Sequence, residues 1–326
     1  MTSAFEHELR MAYKPRTLAE LEPTGITRHM TRGPAWRRTA RGFFVPANVV
    51  PTTTQRILEA QPLLPAGGAL AGWAAAYALG ADCLDGREPW SMQQLPLTIN
   101  LGRDLGRADT TGVRYVRERL PAADRHLAHS VPVTSPERTA FDGARWARDV
   151  VEAVVFLDQI GRALDLDLFR VLARCASPSS WAGVAQARRA IALTDPASAS
   201  PWESRLRMFY IGPAALPRPQ VNRAIFAPDG RLLGVADLFD PKAGLVTEFD
   251  GQEHRRRRQH RADNLREEEL EAANLVVCRV DSIDLRFRAA LAERLRARYT
   301  QGLCRDRSRD RWTLQQPTWW LRRHAS

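Results

Sequence analysis

The sequence predicts a mixed α/β (α+β) chain in three parts with a short tail. Three observations carry this. Residues 198–301 alternate strand and helix signals in the order α-β-β-β-α-β-α. Residues 51–197 mix strand-like alternation with helical apolar stripes. Residues 1–50 read as a helix, a break, a basic helix and a short strand pair. At 326 residues the chain can build two or three cores.

In the first part, "LAELEPTGITRHMTRGPAWRRTARGFFVP" predicts a short helix, a break at 23–25 and a second basic helix to Arg32. A strand pair with Gly42 in its middle follows. This is the layout of a winged helix-turn-helix, in which one basic element enters a groove and a basic ribbon grips phosphate. Arg28, Arg32, Arg37, Arg38 and Arg41 are the candidate DNA contacts. The plainer reading is a small α/β cap with a solvated arginine face.

In the middle part, the run 63–81, "LLPAGGALAGWAAAYALGA", is long enough to span a bilayer. It is mostly Ala and Gly, with Pro65 near its start, so a buried small-residue helix is expected instead. "LPLTINLG" and "VRYVRERL" predict strands. "SVPVTSPERTAFDGARW" predicts a strand and then a helix, with Thr134 or Ser135 as N-cap and Pro136 in the first turn. "DVVEAVVFLDQIGRAL" is an amphipathic helix ending near Gly161. Nothing in this part has catalytic spacing, and Asp142 and Asp158 read as surface or capping groups.

The third part opens with the helix "SPWESRLRMFYIG", begun by Ser200 and Pro201. "PQVNRAIF", "RLLGVADLF" and "GLVTEFDG" are strands separated by the turns "PDG" and "DPKA". "RADNLREEELEAAN" is a helix that Asn274 suits as C-cap. "LVVCRVD" is a β-branched strand, and "IDLRFRAALAERLRARYT" is a last amphipathic helix. The tail, 302–326, is basic and aromatic and fits either an arm or a packed extension.

Charge and cysteine usage narrow the class. The formal net charge is +11 and the isoelectric point about 10.4. Such a basic protein points to an anionic partner, nucleic acid first. Only Lys14 and Lys242 are lysines, and arginine's planar fork suits phosphate. Cys83, Cys175, Cys278 and Cys304 form no CxxC pair, which argues against a zinc knuckle or a disulfide framework. With no apolar signal core at the N-terminus, a cytoplasmic location and no membrane partner are expected. A P-loop, GxGxxG, GxSxG and HExxH are all absent.

The chemistry concentrates in 235–263, "VADLFDPKAGLVTEFDGQEHRRRRQHRAD". Asp237, Glu248 and Asp250 sit in strand-like apolar runs, where acids rarely stand without a cation or donor. A turn near Lys242 places Asp237 across the ladder from Glu248, with Cβ atoms about 4.5–5.5 Å apart. Glu248 and Asp250 share a face. Repulsion would raise their pKa values, and a divalent cation would relieve it. Oxygen ligands suit Mg²⁺ or Mn²⁺, with Asp237 and Glu248 as its ligands. His254 is a candidate general acid or base, or simply a strand-end cap. Arg255, Arg256, Arg257 and Arg258 read as a phosphate clamp, or as a solvated loop.

Asp237 followed by Glu248-Phe249-Asp250, within that element order, resembles the PD-(D/E)XK nuclease superfamily. "EFDGQEH", then Asp263, Arg266 and Leu270, then "VVCRV", is similar to its very-short-patch-repair-like branch. Glu203 in "SPWESRLR" occupies the position of the helical acid in that motif. The resemblance implies a restriction-endonuclease-like αβββαβ core over 198–301. It implies DNA as substrate, Arg266 among its contacts, Mg²⁺ or Mn²⁺ as cofactor, and Asp237, Glu248, Asp250, Glu203 and His254 as catalytic residues. Asp250 stands where the superfamily usually has lysine, so another group would have to orient water. The front wing and "VPVTSPERTAFD" resemble AbiEi-type antitoxins, which implies a DNA-binding regulator with a cognate toxin or a second copy as partner. A metal-dependent DNA endonuclease is therefore the first expectation. A non-catalytic regulator that keeps the nuclease fold is the second.

Overall fold

A computed structural model describes residues 2–103, 108–110, 112–176, 181–251 and 257–324, with the side chains of 257–264 and 324 outside that description. The chain forms two compact units, Met1–Thr194 and Asp195–Ser326. The expected division at 50/51 does not separate two cores. Gln55 exchanges two 2.9 Å bonds with the Tyr13 backbone, and Phe5 meets Tyr77 edge-on at 6.1 Å.

The first unit begins with α1 (Ala4–Leu9), β1 (Arg16–Thr17) and α2 (Leu18–Leu21). Thr17 and Glu20 close a capping box on α2. The hairpin β2 (Trp36–Ala40) and β3 (Phe43–Pro46) turns through Gly42, whose φ is 81°. The sheet order is β1-β3-β2, all antiparallel. The expected second basic helix is absent. Met30–Arg32 is one 3-10 turn, because "TRHMTR" offers no apolar stripe to bury and Thr31 alone turns inward.

After α3 (Thr53–Ala60), the run 63–81 is not one helix. It divides into β4 (Ala69–Ala71) and α4 (Trp73–Ala78), both buried, joined at Gly72 with φ 61°. A positive φ there redirects the chain from strand to helix, and glycine adopts it at little cost. Then follow β5 (Leu97–Asn100), β6 (Val113–Val116), β7 (Arg125–Ala128) and β8 (Val131–Thr134). The five strands lie in the order β6-β5-β4-β8-β7, with mixed pairing. Phe5, Ile57, Leu70, Tyr77, Ile99 and Val133 pack in the core. The helices α5 (Pro136–Trp146), α6 (Val150–Leu164), α7 (Leu168–Ala176) and α8 (Val184–Leu193) complete the unit.

Asp142 and Asp158 are not surface or capping groups, since both are fully buried. Arg138 is fully buried as well, and its guanidinium donates to Asp142 (2.7 Å), Asp124 (3.2 Å) and Glu118 (3.0 Å). Arg145 binds the other Asp142 oxygen at 3.0 Å and also pairs with Glu118, while Arg174 reaches Asp124 at 2.6 Å. Trp181 lies 4.5 Å from the Arg138 guanidinium carbon. Three cations meet three acids here, which is what allows charge inside a core. Burial still outweighs the arginines at Asp142, whose pKa is pushed up to about 6.

The second unit follows the expected order in full: α9 (Pro201–Ile211), β9 (Gln220–Phe226), β10 (Leu232–Asp240), β11 (Leu245–Phe249), α10 (Arg257–Ala272), β12 (Val276–Val280) and α11 (Arg288–Leu303). The sheet order is β12-β11-β10-β9. Its two hairpins are antiparallel, and α10 carries the crossover into the parallel pair β11–β12. Asn274, with φ 72°, ends the helical stretch before β12 as expected. Leu270 and Ala273 bury one face of this stretch on Phe239, Val246 and Val277.

The tail is a packed extension. Phe226 and Thr313 exchange backbone bonds of 3.0 and 2.7 Å, and Trp312 meets Phe239 edge-on at 5.2 Å. A last helix, α12 (Thr318–His324), packs Trp320 against Phe226 at 5.3 Å. No helix among the described residues is long and apolar enough to cross a membrane.

Candidate functional site

In the second unit, the β10–β11 ladder ends at the pair Leu238 and Thr247. Asp237 and Glu248 stand one position beyond it, facing each other as expected. The Phe249 N–H donates to Asp237 Oδ2 at 2.7 Å and fixes that carboxyl at the strand end. Asp237 is half-buried, and burial pushes its pKa up to about 7. The Phe249 N–H pulls it down, Glu203 and Glu248 push it further up, and Arg266 pulls it down.

Glu203 comes from α9. It is third in the helix, where its N–H bonds the Ser200 hydroxyl at 3.2 Å. Its Oε2 accepts from the Ala199 N–H and from Asn222 Nδ2, both at 2.7 Å. Glu203 is thus held as a helix-start acid, a role that contributes about 1 kcal/mol. Its charge acts on Asp237, but one of its oxygens already has two partners. Asn222 stands opposite Asp237, between the pairs Arg223–Ala236 and Val221–Leu238, and its φ is 46°. A left-handed residue inside a strand costs on the order of 1 kcal/mol. Its amide offsets that by binding Glu203 and the Ala197 carbonyl.

Arg266, expected among the DNA contacts, has a side chain 36% exposed and is bonded within this site. It reaches inward from α10 and donates through Nη2 to Glu248 Oε1 (2.7 Å) and to the Val235 carbonyl (2.6 Å). Gly234 makes the room, because a Cβ there would lie 2.6 Å from Arg266 Nε. Trp202 and Phe249 stack at 5.4 Å with planes 3° apart, and Arg205 covers Trp202 at 4.8 Å. This stack ties the start of α9 to the end of β11. The sequence reading missed the roles of Asn222, Gly234 and Trp202. The one available signal was a small residue and an aromatic standing beside the acids.

Asp250 follows β11 directly, and its N–H meets the Val280 carbonyl at 2.8 Å. His254, Arg255 and Arg256 lie outside the described residues. Arg257 and Arg258 open α10, with side chains outside them too. In the first unit, Arg28, Arg32, Arg38 and Arg41 are exposed. Arg37 is not available in the same way, because its guanidinium forks onto Glu59 at 2.5 and 2.7 Å.

Among the described residues, no group of three or more His, Cys, Asp or Glu side chains is arranged to hold a metal. The donor set is instead a carboxylate pair. Asp237 and Glu248 each have one oxygen in a described hydrogen bond. Mg²⁺ is commonly held by one or two carboxylates, with waters and phosphate oxygens completing its shell. The pair fits that requirement and does not fit a closed protein cage. The chain matches no protein-family model, no curated protein and no solved structure.

Proposed function

We propose that the second unit is a metal-dependent DNA endonuclease of the PD-(D/E)XK type, with the first unit docking DNA through a winged, arginine-bearing edge. One observation carries the reading: two acids from adjacent strands face each other at a strand end, braced by a backbone N–H and an inward arginine. Asp237 and Glu248 would hold Mg²⁺ or Mn²⁺, which supplies water activation and charge neutralisation at a phosphodiester. The chain's own groups do the rest. The Phe249 N–H orients Asp237, Arg266 orients Glu248, and the Trp202–Phe249 stack holds the helix start against the strand end. Arg28, Arg32, Arg38 and Arg41 supply phosphate contacts that carry no sequence information.

A second reading is a non-catalytic regulator on the same fold. Asp250 in the usual lysine position favours it. A supercoiled-plasmid assay with Mg²⁺, Mn²⁺ or EDTA separates the two. Metal-dependent nicking by the parent, lost in a folded Asp237→Asn variant, supports the enzyme. DNA binding without cleavage in either metal sinks it and leaves the regulator.

A further inference from the structure

The helix α12 presents a surface that the packing of the second unit covers only in part. Its inner side is engaged, with Trp320 edge-on to Phe226 at 5.3 Å. Trp319, Arg322 and Arg323 fall at i, i+3 and i+4 and share a helix face. Both arginines are exposed, and Trp319 is 45% exposed.

That indole is not loose. Its Nε1 donates to the Gly230 carbonyl at 3.1 Å. Its ring contacts, to Phe226 and Trp320, are both edge-to-face, at 79° and 81°. It is therefore anchored by its polar edge while nearly half its surface meets water. A fixed, exposed indole beside two guanidinium groups combines an aromatic platform with phosphate donors. Beyond Gly230, Asp229 accepts from the Arg231 backbone N–H and Glu269 from the Arg231 guanidinium, both at 2.9 Å. The positive charge on this face comes from Arg322 and Arg323, both exposed.

We propose that the outer face of α12 is a binding site for single-stranded nucleic acid, with a base stacked on Trp319 and the neighbouring phosphates on Arg322 and Arg323. A single strand fits better than a duplex, because bases inside a duplex have no free face for an exposed indole. The proposal does not rest on cleavage at the carboxylate pair.

The test is fluorescence anisotropy of a labelled oligo-dT with the full chain in EDTA, where metal-dependent cutting is off. A blunt duplex and phosphatidylserine vesicles are run beside it. Trp319→Ala is expected to weaken oligo-dT binding about tenfold, and Trp319→Phe to keep most of it. The Arg322→Gln, Arg323→Gln double variant, altered only at exposed positions, is expected to flatten the log–log salt slope by about 1.4. Duplex binding should change little in any of them. Unchanged oligo-dT affinity in Trp319→Ala, an equal loss on duplex, or a preference for the vesicles would each overturn the proposal. Because no metal is present, its failure and the failure of the nuclease reading are read separately.

Discussion

Replacing Asp237 with asparagine should stabilise the second unit, and should do so only above a certain pH. Burial raises the Asp237 pKa from 3.8 to about 7. At 1.36 kcal/mol per tenfold change in proton affinity, that gap corresponds to about 4 kcal/mol against the ionised folded form. Partial contact with water reduces the expected effect to about 2–4 kcal/mol. The sign follows from proton counting. Between pH 4 and 7 the folded unit binds more protons than the unfolded chain, so this group's contribution falls as pH rises through that window. The asparagine amide would keep an acceptor for the Phe249 N–H and lose only the charge. The assay is urea-dependent hydrogen exchange of β10 and β11 peptides, which reports this unit separately from the first. At pH 8 the Asp237→Asn midpoint should lie on the order of 1 M urea higher. At pH 4 the two proteins should nearly coincide. Equal stability at pH 8, or the same advantage at both pH values, would refute the assignment of a strained carboxylate. Adding Mg²⁺ at pH 8 should then stabilise the parent and leave the variant unmoved.

Arg266→Met should destabilise the second unit by about 1–3 kcal/mol, since Glu248 loses its charged donor. It should also move the pH window of β10 exchange upward, because Arg266 holds the Asp237 pKa down. In the first unit, Arg138→Met should cost about 3–5 kcal/mol in urea unfolding followed by exchange of α5 peptides, leaving Asp142, Asp124 and Glu118 short of a cation. Replacing Arg28, Arg32, Arg38 and Arg41 together with Gln should flatten the log–log salt slope of duplex binding by about 3–4. A slope equal to the parent's would show that these arginines only face water.

The second unit was legible because its strands are short apolar, β-branched runs and its breaks have a chemical cause. "PDG", "DPKA" and Asn274 each interrupt one periodicity before the next begins. The facing of Asp237 and Glu248 was legible for the same reason, as acids in apolar strands joined by a short turn. What stayed hidden was pairing over distance. Glu118 and Asp124 come from a different stretch than Arg138, so the Asp142 helix looked like a solvated face. Arg266 and Glu248 are likewise 18 residues apart, and only the fold shows that the arginine turns inward. The front helix failed for a local reason. Basic composition suggested a recognition helix, yet helix formation needs an apolar face, and Met30 is 44% exposed.

Among the described residues, two carboxyl groups have a raised pKa because of burial, and their surroundings differ in kind. Asp142 is fully enclosed, yet each of its oxygens meets an arginine at 2.7–3.0 Å. Burial pushes its pKa up to about 6 while Arg138 and Arg145 pull it down. Asp237 is less deeply buried, and its pKa is also pushed up, to about 7. Its described hydrogen-bond donor is one backbone N–H, its arginine is committed to Glu248, and two more acids face it. A carboxylate placed for stability alone would resemble the first. The second stands at a strand end beside a second acid, and on the proposed reading a bound cation and an approaching phosphate would complete it. Loss of the Mg²⁺ response in Asp237→Asn is therefore the measurement that ties the strain to function.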